Sequence, residues 1–200
     1  RRRFVAGAAG SSLVMGLGTL LPGCGAEQVA SDLADAGASA AFSPVIWFEI
    51  DPQGAVLINI VRAEMGQHVG TALAQIIADE LGANWDDVRI SHVDTDPKWG
   101  YMVTGGSWSV HTSFTQLSQA GAAGRSILVE AGATLLAADA SQCYAEGGRV
   151  FAGSSSLSFA EIIRDGNIHR SFTQAELDAM PIKAPADRRI IGRDVAALDV

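Results

Sequence analysis

Two apolar runs open the readable pattern. Pro44-Val-Ile-Trp-Phe-Glu-Ile50 and Ala55-Val-Leu-Ile-Asn-Ile-Val61 are rich in β-branched and aromatic residues and predict two strands on a half-buried pleat. Asp51-Pro-Gln-Gly54 between them predicts a tight turn, because proline presets φ and Gly54 accepts φ > 0 without steric cost. The period then changes. Val69, Leu73, Ile76, Ile77 and Leu81 recur at helical spacing, which predicts a helix over 70–81 resting one stripe on a core, with Asp79 and Glu80 facing solvent and Gly82 ending it. Trp85–Asp94 predicts a turn and a strand that sets Val88, Ile90 and His92 against Arg89, Ser91 and Val93. This β-β-α-β order predicts an α+β fold, a mixed sheet covered by helices.

Asp94–Val103 has no periodicity and reads as a loop, whose Trp99 and Tyr101 either touch a substrate or cover the loop's own small core. After Thr104-Gly-Gly-Ser-Trp-Ser109, the positions Leu117, Gly121, Gly124, Leu128, Ala131 and Leu135 predict a long, closely packed helix. Gly121 and Gly124 on its apolar face would let another backbone approach, at a propensity cost of about 1 kcal/mol each. Beyond Ala140 short pieces follow and are expected to be peripheral: strands at Tyr144–Glu146 and Arg149–Ala152 around a Gly147-Gly148 turn, then Ser158 capping a helix over Phe159–Arg164. Residues 181–200, with Pro181 and Pro185, have a linker composition leading toward a following domain.

The amino end changes the picture from a plain domain to an exported one. Arg1-Arg-Arg-Phe-Val precedes a weakly apolar run, Ala6–Leu21, too short and too rich in Gly and Ala for a confident membrane span, so residues 1–40 read as an export signal of twin-arginine type. A basic-tailed membrane anchor is the rival reading. Leu21-Pro-Gly-Cys24 resembles an imperfect lipoprotein box and Ala38-Ser-Ala40 a peptidase site, and the residues do not separate the two exits. Starting at Arg1 rather than methionine, the sequence is expected to be trimmed at its front. The net charge of −8 argues against nucleic acid as a partner. Cys24 and Cys143 make no disulfide framework or metal spacing, and Cys143 is expected to be buried and inert.

Two glycine-bearing loops carry the candidate chemistry. Arg62-Ala-Glu-Met-Gly-Gln-His-Val-Gly70 and Thr104–Ser109 each precede a predicted helix. Permissive glycines, a neutral amide and a helix N-terminus suit close approach of a phosphate or an electron-rich ring to the main chain. Taken singly, each reads better as ordinary structure: a β-to-α turn at Gly66-Gln67 and a helix-capping Ser/Thr cluster at Thr104–Ser109. Taken as a pair, they predict a cradle for a polar or anionic cofactor. Its donors are N–H groups, hydroxyls and helix dipoles, since neither Gly66-Gln67 nor Thr104–Ser109 contains Lys or Arg. His68, His92, His111 and His169 have no metal-ligand spacing, and no G-x-S-x-G is present.

Glu64-Met-Gly-Gln67, Met102-Val-Thr-Gly-Gly-Ser-Trp-Ser109 and Gln119-Ala-Gly-Ala-Ala-Gly-Arg125 together resemble the molybdopterin-binding large subunit of the xanthine dehydrogenase/aldehyde oxidase family, of the isoquinoline 1-oxidoreductase β-subunit type. The resemblance runs through Ile190-Ile-Gly-Arg193. It implies that residues 41–180 are the first part of a larger molybdopterin-binding domain. Gly66 and Gln67 would meet the molybdenum cofactor, while Thr104, Gly106, Ser107 and Ser109 would line its pterin and phosphate side, the cytosine dinucleotide form being among those allowed. In that family molybdenum is held by the pterin dithiolene. The implied reaction hydroxylates an aldehyde or N-heterocycle with water-derived oxygen. Electrons leave through a small [2Fe-2S] subunit and often a haem-bearing cytochrome c subunit. The implied location is periplasmic, with membrane attachment an option. Family large subunits are several times longer and their general base lies in the later portion, so no catalytic residue is assigned here. The rival is a non-catalytic exported binding or lipoprotein module.

Overall fold

A computed structural model describes residues 42–199. The expected export signal, with both of its exits, lies outside the described residues. The first sheet is mixed, in the order β1-β2-β3-β4: β1 (Phe42–Val45), β2 (Phe48–Ile50), β3 (Val56–Ile60) and β4 (Val88–His92). The first three pair antiparallel and β3 pairs parallel with β4, from Val56 opposite Val88 to Ile60 opposite His92. A parallel pair needs a crossover, and helix α1 (Val69–Leu81) supplies it.

The expected strand over 44–50 is two strands. The chain turns at Ile46–Trp47, where Asn59 on β3 donates from Nδ2 to the Ile46 carbonyl at 2.8 Å and from its amide to the Trp47 carbonyl at 2.9 Å. An apolar run cannot announce such a turn, because the asparagine that stabilises it lies a hairpin away. The turn at Asp51–Gly54 forms as expected. Asp51 Oδ1 accepts from the amides of Gln53 and Ala55, each at 2.9 Å, which adds a local reason for the bend.

Phe48, Ile50, Ile58, Leu73, Ile77 and Leu81 are fully buried between this sheet and α1. The long helix α2 (Ser109–Leu135) packs along α1 and also reaches the sheet at Phe48. A Cβ on Gly121 would stand 2.7 Å from Glu80 Cβ and 2.8 Å from the Ile77 carbonyl, and one on Gly124 would stand 2.5 Å from Phe48 Cζ. The expected close approach is therefore present, and α1 is the element that makes it. Leu135, expected on the buried stripe, is 40% exposed at the helix end.

The pieces beyond Ala140 are not peripheral. Strands β5 (Cys143–Glu146), β6 (Arg149–Ala152) and β7 (Ser155–Ser158) form an antiparallel meander, followed by α3 (Phe159–Asp165). Val150, Phe159 and Ile162 are buried, and Val150 and Ile162 lie against Gly132 of α2. Short strands conceal this core because each supplies only one or two of its side chains. The Ser158 cap forms as a full capping box with Glu161. Cys143 is half-buried rather than enclosed, its thiol donating to the Asp139 carbonyl.

Two further expectations fail together. Asp79 and Glu80 are 1% and 0% exposed, and the tail read as linker is what covers them. After α4 (Gln174–Asp178), the Asp79 carboxylate accepts from the amides of Arg189, Ile190 and Ile191 at 2.8–3.0 Å. Glu80 accepts from the Lys183 amide at 3.0 Å, from Arg188 Nη2 at 2.8 Å and from Arg125 Nη1 at 3.2 Å. Lys183 Nζ also donates to the Asp79 carbonyl. Burial pushes the Lys183 ammonium below its ordinary value, reinforced by the nearby Arg125 charge and opposed by the two acids. Helical periodicity correctly puts Asp79 and Glu80 away from the sheet, but it cannot say that the chain returns to cover that face.

Two substitutions test this packing. Gly121→Leu is expected to lower the unfolding free energy by about 1–3 kcal/mol through overpacking. Glu80→Ala is expected to cost about 3–5 kcal/mol, because it leaves the buried Arg188 and the half-buried Arg125 without their acid. Urea denaturation measures both, and unchanged midpoints would refute the packing described.

Candidate functional site

The first candidate loop is built around Glu64. Its Oε1 accepts from the amides of Met65 (3.1 Å), Gly66 (2.8 Å) and His68 (3.0 Å), and its Oε2 from Val69 (2.9 Å), the first residue of α1. The carboxylate thus already occupies the helix N-terminus that the sequence offered to a ligand anion. Gln67 folds back inside the same loop. Its Oε1 accepts from the Met65 amide at 2.6 Å and its Nε2 donates to the Ala63 carbonyl at 2.8 Å. Gly66, with φ 93°, permits this curl, and a Cβ there would meet nothing within 4 Å. Gly70 has a packing reason instead: a Cβ would stand 2.8 Å from Ile90 Cδ1.

The second loop behaves differently. Gly106 and Ser107 both take positive φ, 60° and 61°, which turns the chain sharply into α2. Serine rarely adopts this conformation, and the Gly105 carbonyl accepts from the Trp108 amide at 3.2 Å to close the turn. No side chain caps α2, so the expected Ser/Thr cap is not made. The first helical bond runs from Thr112 to the Trp108 carbonyl, which leaves the amides of the preceding turn without helical acceptors. The Thr104 hydroxyl accepts from the Ala63 amide at 2.8 Å and so ties the second loop to the first.

Gln67, Thr104, Ser107 and Ser109 share one cleft of about 290 Å³ with Met65, Val69, Ala72, Gly105 and Val110. Gly66 and Gly106 are not on its wall and act by shaping the two loops. The cleft is apolar on the α1 side and carries hydroxyls and the open α2 N-terminus on the other. Such a surface suits a group with a flat apolar part and an oxygen-rich end.

Sequence reasoning missed the residue that joins these loops. Arg62, at the end of β3, is 5% exposed, and its Nη1 donates to the Val103 carbonyl at 2.5 Å. Its Nη2 reaches the hydroxyls of Thr112 at 3.2 Å and Ser113 at 3.4 Å on α2, and its guanidinium lies 5.3 Å from the Tyr101 ring centroid. Tyr101 is 66% exposed, whereas Trp99 is buried against Trp47 with centroids 5.8 Å apart, so of the two loop aromatics Trp99 covers core. An arginine closing an apolar strand was the available signal, since that position must leave the strand buried or capped.

The tail also reaches this site. Asp199, whose side chain is 2% exposed, accepts from the Thr71 hydroxyl at 2.5 Å and amide at 3.1 Å, and meets His68 Nδ1 at 3.0 Å. Burial pushes its carboxyl up, but hydrogen bonds with Thr71, then Glu64 and His68, outweigh that and hold it well below the usual range. Among the described residues no group of three or more His, Cys, Asp or Glu side chains could hold a metal, and no helix is long and apolar enough to cross a membrane.

Comparison with known proteins gives this α+β domain, with its two tied loops over one cleft, a family. Residues 6–185 match the molybdopterin cofactor-binding domain, and the chain belongs to that family. It is 50% identical over 161 residues to the membrane-bound aldehyde dehydrogenase [pyrroloquinoline-quinone] of Gluconacetobacter polyoxogenes, a match covering 80% of this chain and 21% of that protein. It is 32% identical over 153 residues to the beta subunit of isoquinoline 1-oxidoreductase from Brevundimonas diminuta, covering 72% and 20%. To a nicotinate dehydrogenase subunit from Pseudomonas putida it is 29% identical over 156 residues, covering 78% and 13%. The chain therefore spans about a fifth or less of these relatives' lengths. The crystal structure of quinoline 2-oxidoreductase from Pseudomonas putida 86 aligns over 58% of this chain and 15% of its own, at 26% identity and a TM-score of 0.43.

Two measurements test the loop geometry. Glu64→Ala is expected to lower stability by about 1–2 kcal/mol, as for loss of a helix cap, and to speed hydrogen exchange at Gly66, His68 and Val69. Exchange unchanged at these amides would exclude the Glu64 role. For Asp199, with its native value depressed, the stabilisation is complete above the ordinary carboxylate range near pH 4 and is lost as the pH falls through the native value. The stability difference between wild type and Asp199→Asn should then be present near neutral pH and shrink under strong acid.

Proposed function

We propose that this chain is the N-terminal portion of a molybdenum hydroxylase subunit and supplies one wall of its cofactor site. Membership of the molybdopterin-binding family and the relatives' names support the class of enzyme. The observation that carries the local reading is the contrast between the two helix starts. Glu64 fills the first, while the second is open beside Ser107 and Ser109, whose hydroxyls have no protein partner among the described residues.

In this reading the α2 N-terminus, Ser107 and Ser109 hold the oxygen-rich end of the cofactor. Thr104, already committed to Ala63, fixes the separation of the loops. Gln67 presents its amide at the cleft and exchanges its internal hydrogen bonds for contacts to the cofactor, while Gly66 and Gly106 keep the main chain in place. The residues present fit such a group because they offer neutral donors around an apolar floor. When bound, the molybdenum cofactor supplies the two-electron redox centre for oxidising an aldehyde or N-heterocycle with water-derived oxygen. This chain binds and orients it. The general base and substrate pocket belong to other parts of a longer polypeptide.

Two of the relatives are named as subunits, which supports partners carrying the [2Fe-2S] cluster and a cytochrome c haem. A relative named as membrane-bound supports a membrane-attached, periplasmic enzyme exported by the twin-arginine signal at 1–40.

Cofactor analysis of the complete enzyme tests this. Gln67→Ala and Ser107→Ala should each lower bound molybdopterin affinity about tenfold, as for loss of one or two hydrogen bonds, read as pterin fluorescence and metal content. Ser107→Gly keeps the turn, removes the whole CH2OH group and relieves the positive-φ strain that Ser107→Ala retains, so it should match Ser107→Ala in cofactor loss. Normal pterin content in all three, or a quinone in place of the pterin, would overturn the assignment, and a protein with neither would be the non-catalytic module.

A further inference from the structure

His68 stands at the joint between the Gln67 loop and α1, and its backbone is unusual. It takes φ 56° and ψ 37°, a left-handed conformation that residues with a side chain rarely adopt, and this turns the chain from the loop into the helix. Such a conformation persists only where the surroundings hold it. The ring does not cap α1. It reaches across 131 positions of sequence instead, where Nδ1 meets Asp199 Oδ1 at 3.0 Å. The ring is half exposed and the Asp199 carboxylate is 2% exposed, so the acid is the fixed partner of the two.

The carboxylate has its own supports. The Thr71 hydroxyl donates to it at 2.5 Å and the Thr71 amide at 3.1 Å, while the same hydroxyl accepts from the Leu198 amide at 2.8 Å. Gly70 leaves the room for it, since a Cβ there would stand 3.0 Å from Asp199 Oδ2. Glu64, which shapes the curl, hydrogen-bonds to the same Asp199. Asp199 therefore meets the loop on both sides of Gln67 in sequence, at Glu64 and at His68.

Given the cofactor role read above for Gln67, we propose that Asp199 and His68 are positioning residues of that site. The buried carboxylate fixes the His68 ring, and the ring maintains the left-handed turn that sets Gln67, the preceding residue, in the wall of the cleft. Asp199 and His68 are not on that wall themselves and act through Gln67.

The complete enzyme tests this by the rate at which it releases pterin, read by fluorescence, and by hydrogen exchange at the loop amides. His68→Gly removes the ring and relieves the left-handed strain. If the residue served the turn alone, glycine would hold the cofactor as well as histidine does. The positioning role instead predicts release about tenfold faster, the equivalent of one lost charge-assisted hydrogen bond, and faster exchange at Gly66 and Val69. His68→Asn should restore slow release, because its Nδ2 takes the place of Nδ1 and asparagine tolerates the left-handed backbone. His68→Gln, whose amide nitrogen takes the place of Nε2, should not. Asp199→Ala should release at least as fast as His68→Gly, and adding His68→Gly to Gln67→Ala should speed release no further, since the residue it positions is gone. Wild-type release in His68→Gly or Asp199→Ala, no recovery in His68→Asn, or additive losses in the double variant overturns the positioning role; cofactor loss in Gln67→Ala would then leave the cofactor reading standing. Normal pterin content in Gln67→Ala removes that reading and the positioning role with it.

Discussion

Helix α1 is fixed at both ends by carboxylates, and the site depends on that. At its C-terminal end Asp79 and Glu80 are fully buried, where the helix dipole itself disfavours negative charge. They persist there because Arg125, Arg188, Lys183 and four amides of the tail surround them. At the other end the Glu64 carboxylate gathers four amides and sets the curl that carries Gly66 and Gln67. A helix so anchored can hold a loop in position without help from regular structure in the loop.

The two loops then have different chemical capacity despite similar sequences. The loop before α1 has spent its N–H donors on its own glutamate, so it offers an amide side chain rather than a dipole. The loop before α2 has no acid within it and no cap, so it offers a helix end and two hydroxyls. Arg62 and Thr104 hold the pair together from beneath. The cleft between them has a volume of about 290 Å³ and is polar on one side only.

Much of the fold was legible because it depends on local pattern. Strands 56–60 and 88–92, the helix stripe from Val69 to Leu81, the αL glycine at 82 and the Ser158 cap each follow from spacing or from one residue's backbone preference. The misreadings share one cause. The Ile46–Trp47 turn, the buried Asp79-Glu80 pair and the packed tail are all stabilised by residues distant in sequence, respectively Asn59, Arg188 with Arg125, and α1. A hydrophilic pair on a helix reads as solvent-facing until something returns to cover it, and a proline-containing tail reads as linker until its amides find acceptors.

The candidate site divides in the same way. The sequence by itself determined that two glycine-bearing loops precede two helices, because that is a property of residue type and order. It also determined the family, through motifs whose order is preserved. Only the tertiary structure decided that the loops meet, that Glu64 closes one helix end while the other stays open, and that Arg62 is buried without a counter-charge. Hydrogen-bond partners up to 51 residues apart settle the meeting of the loops and the burial of Arg62, whereas Glu64's partners lie within five residues and only their geometry was hidden.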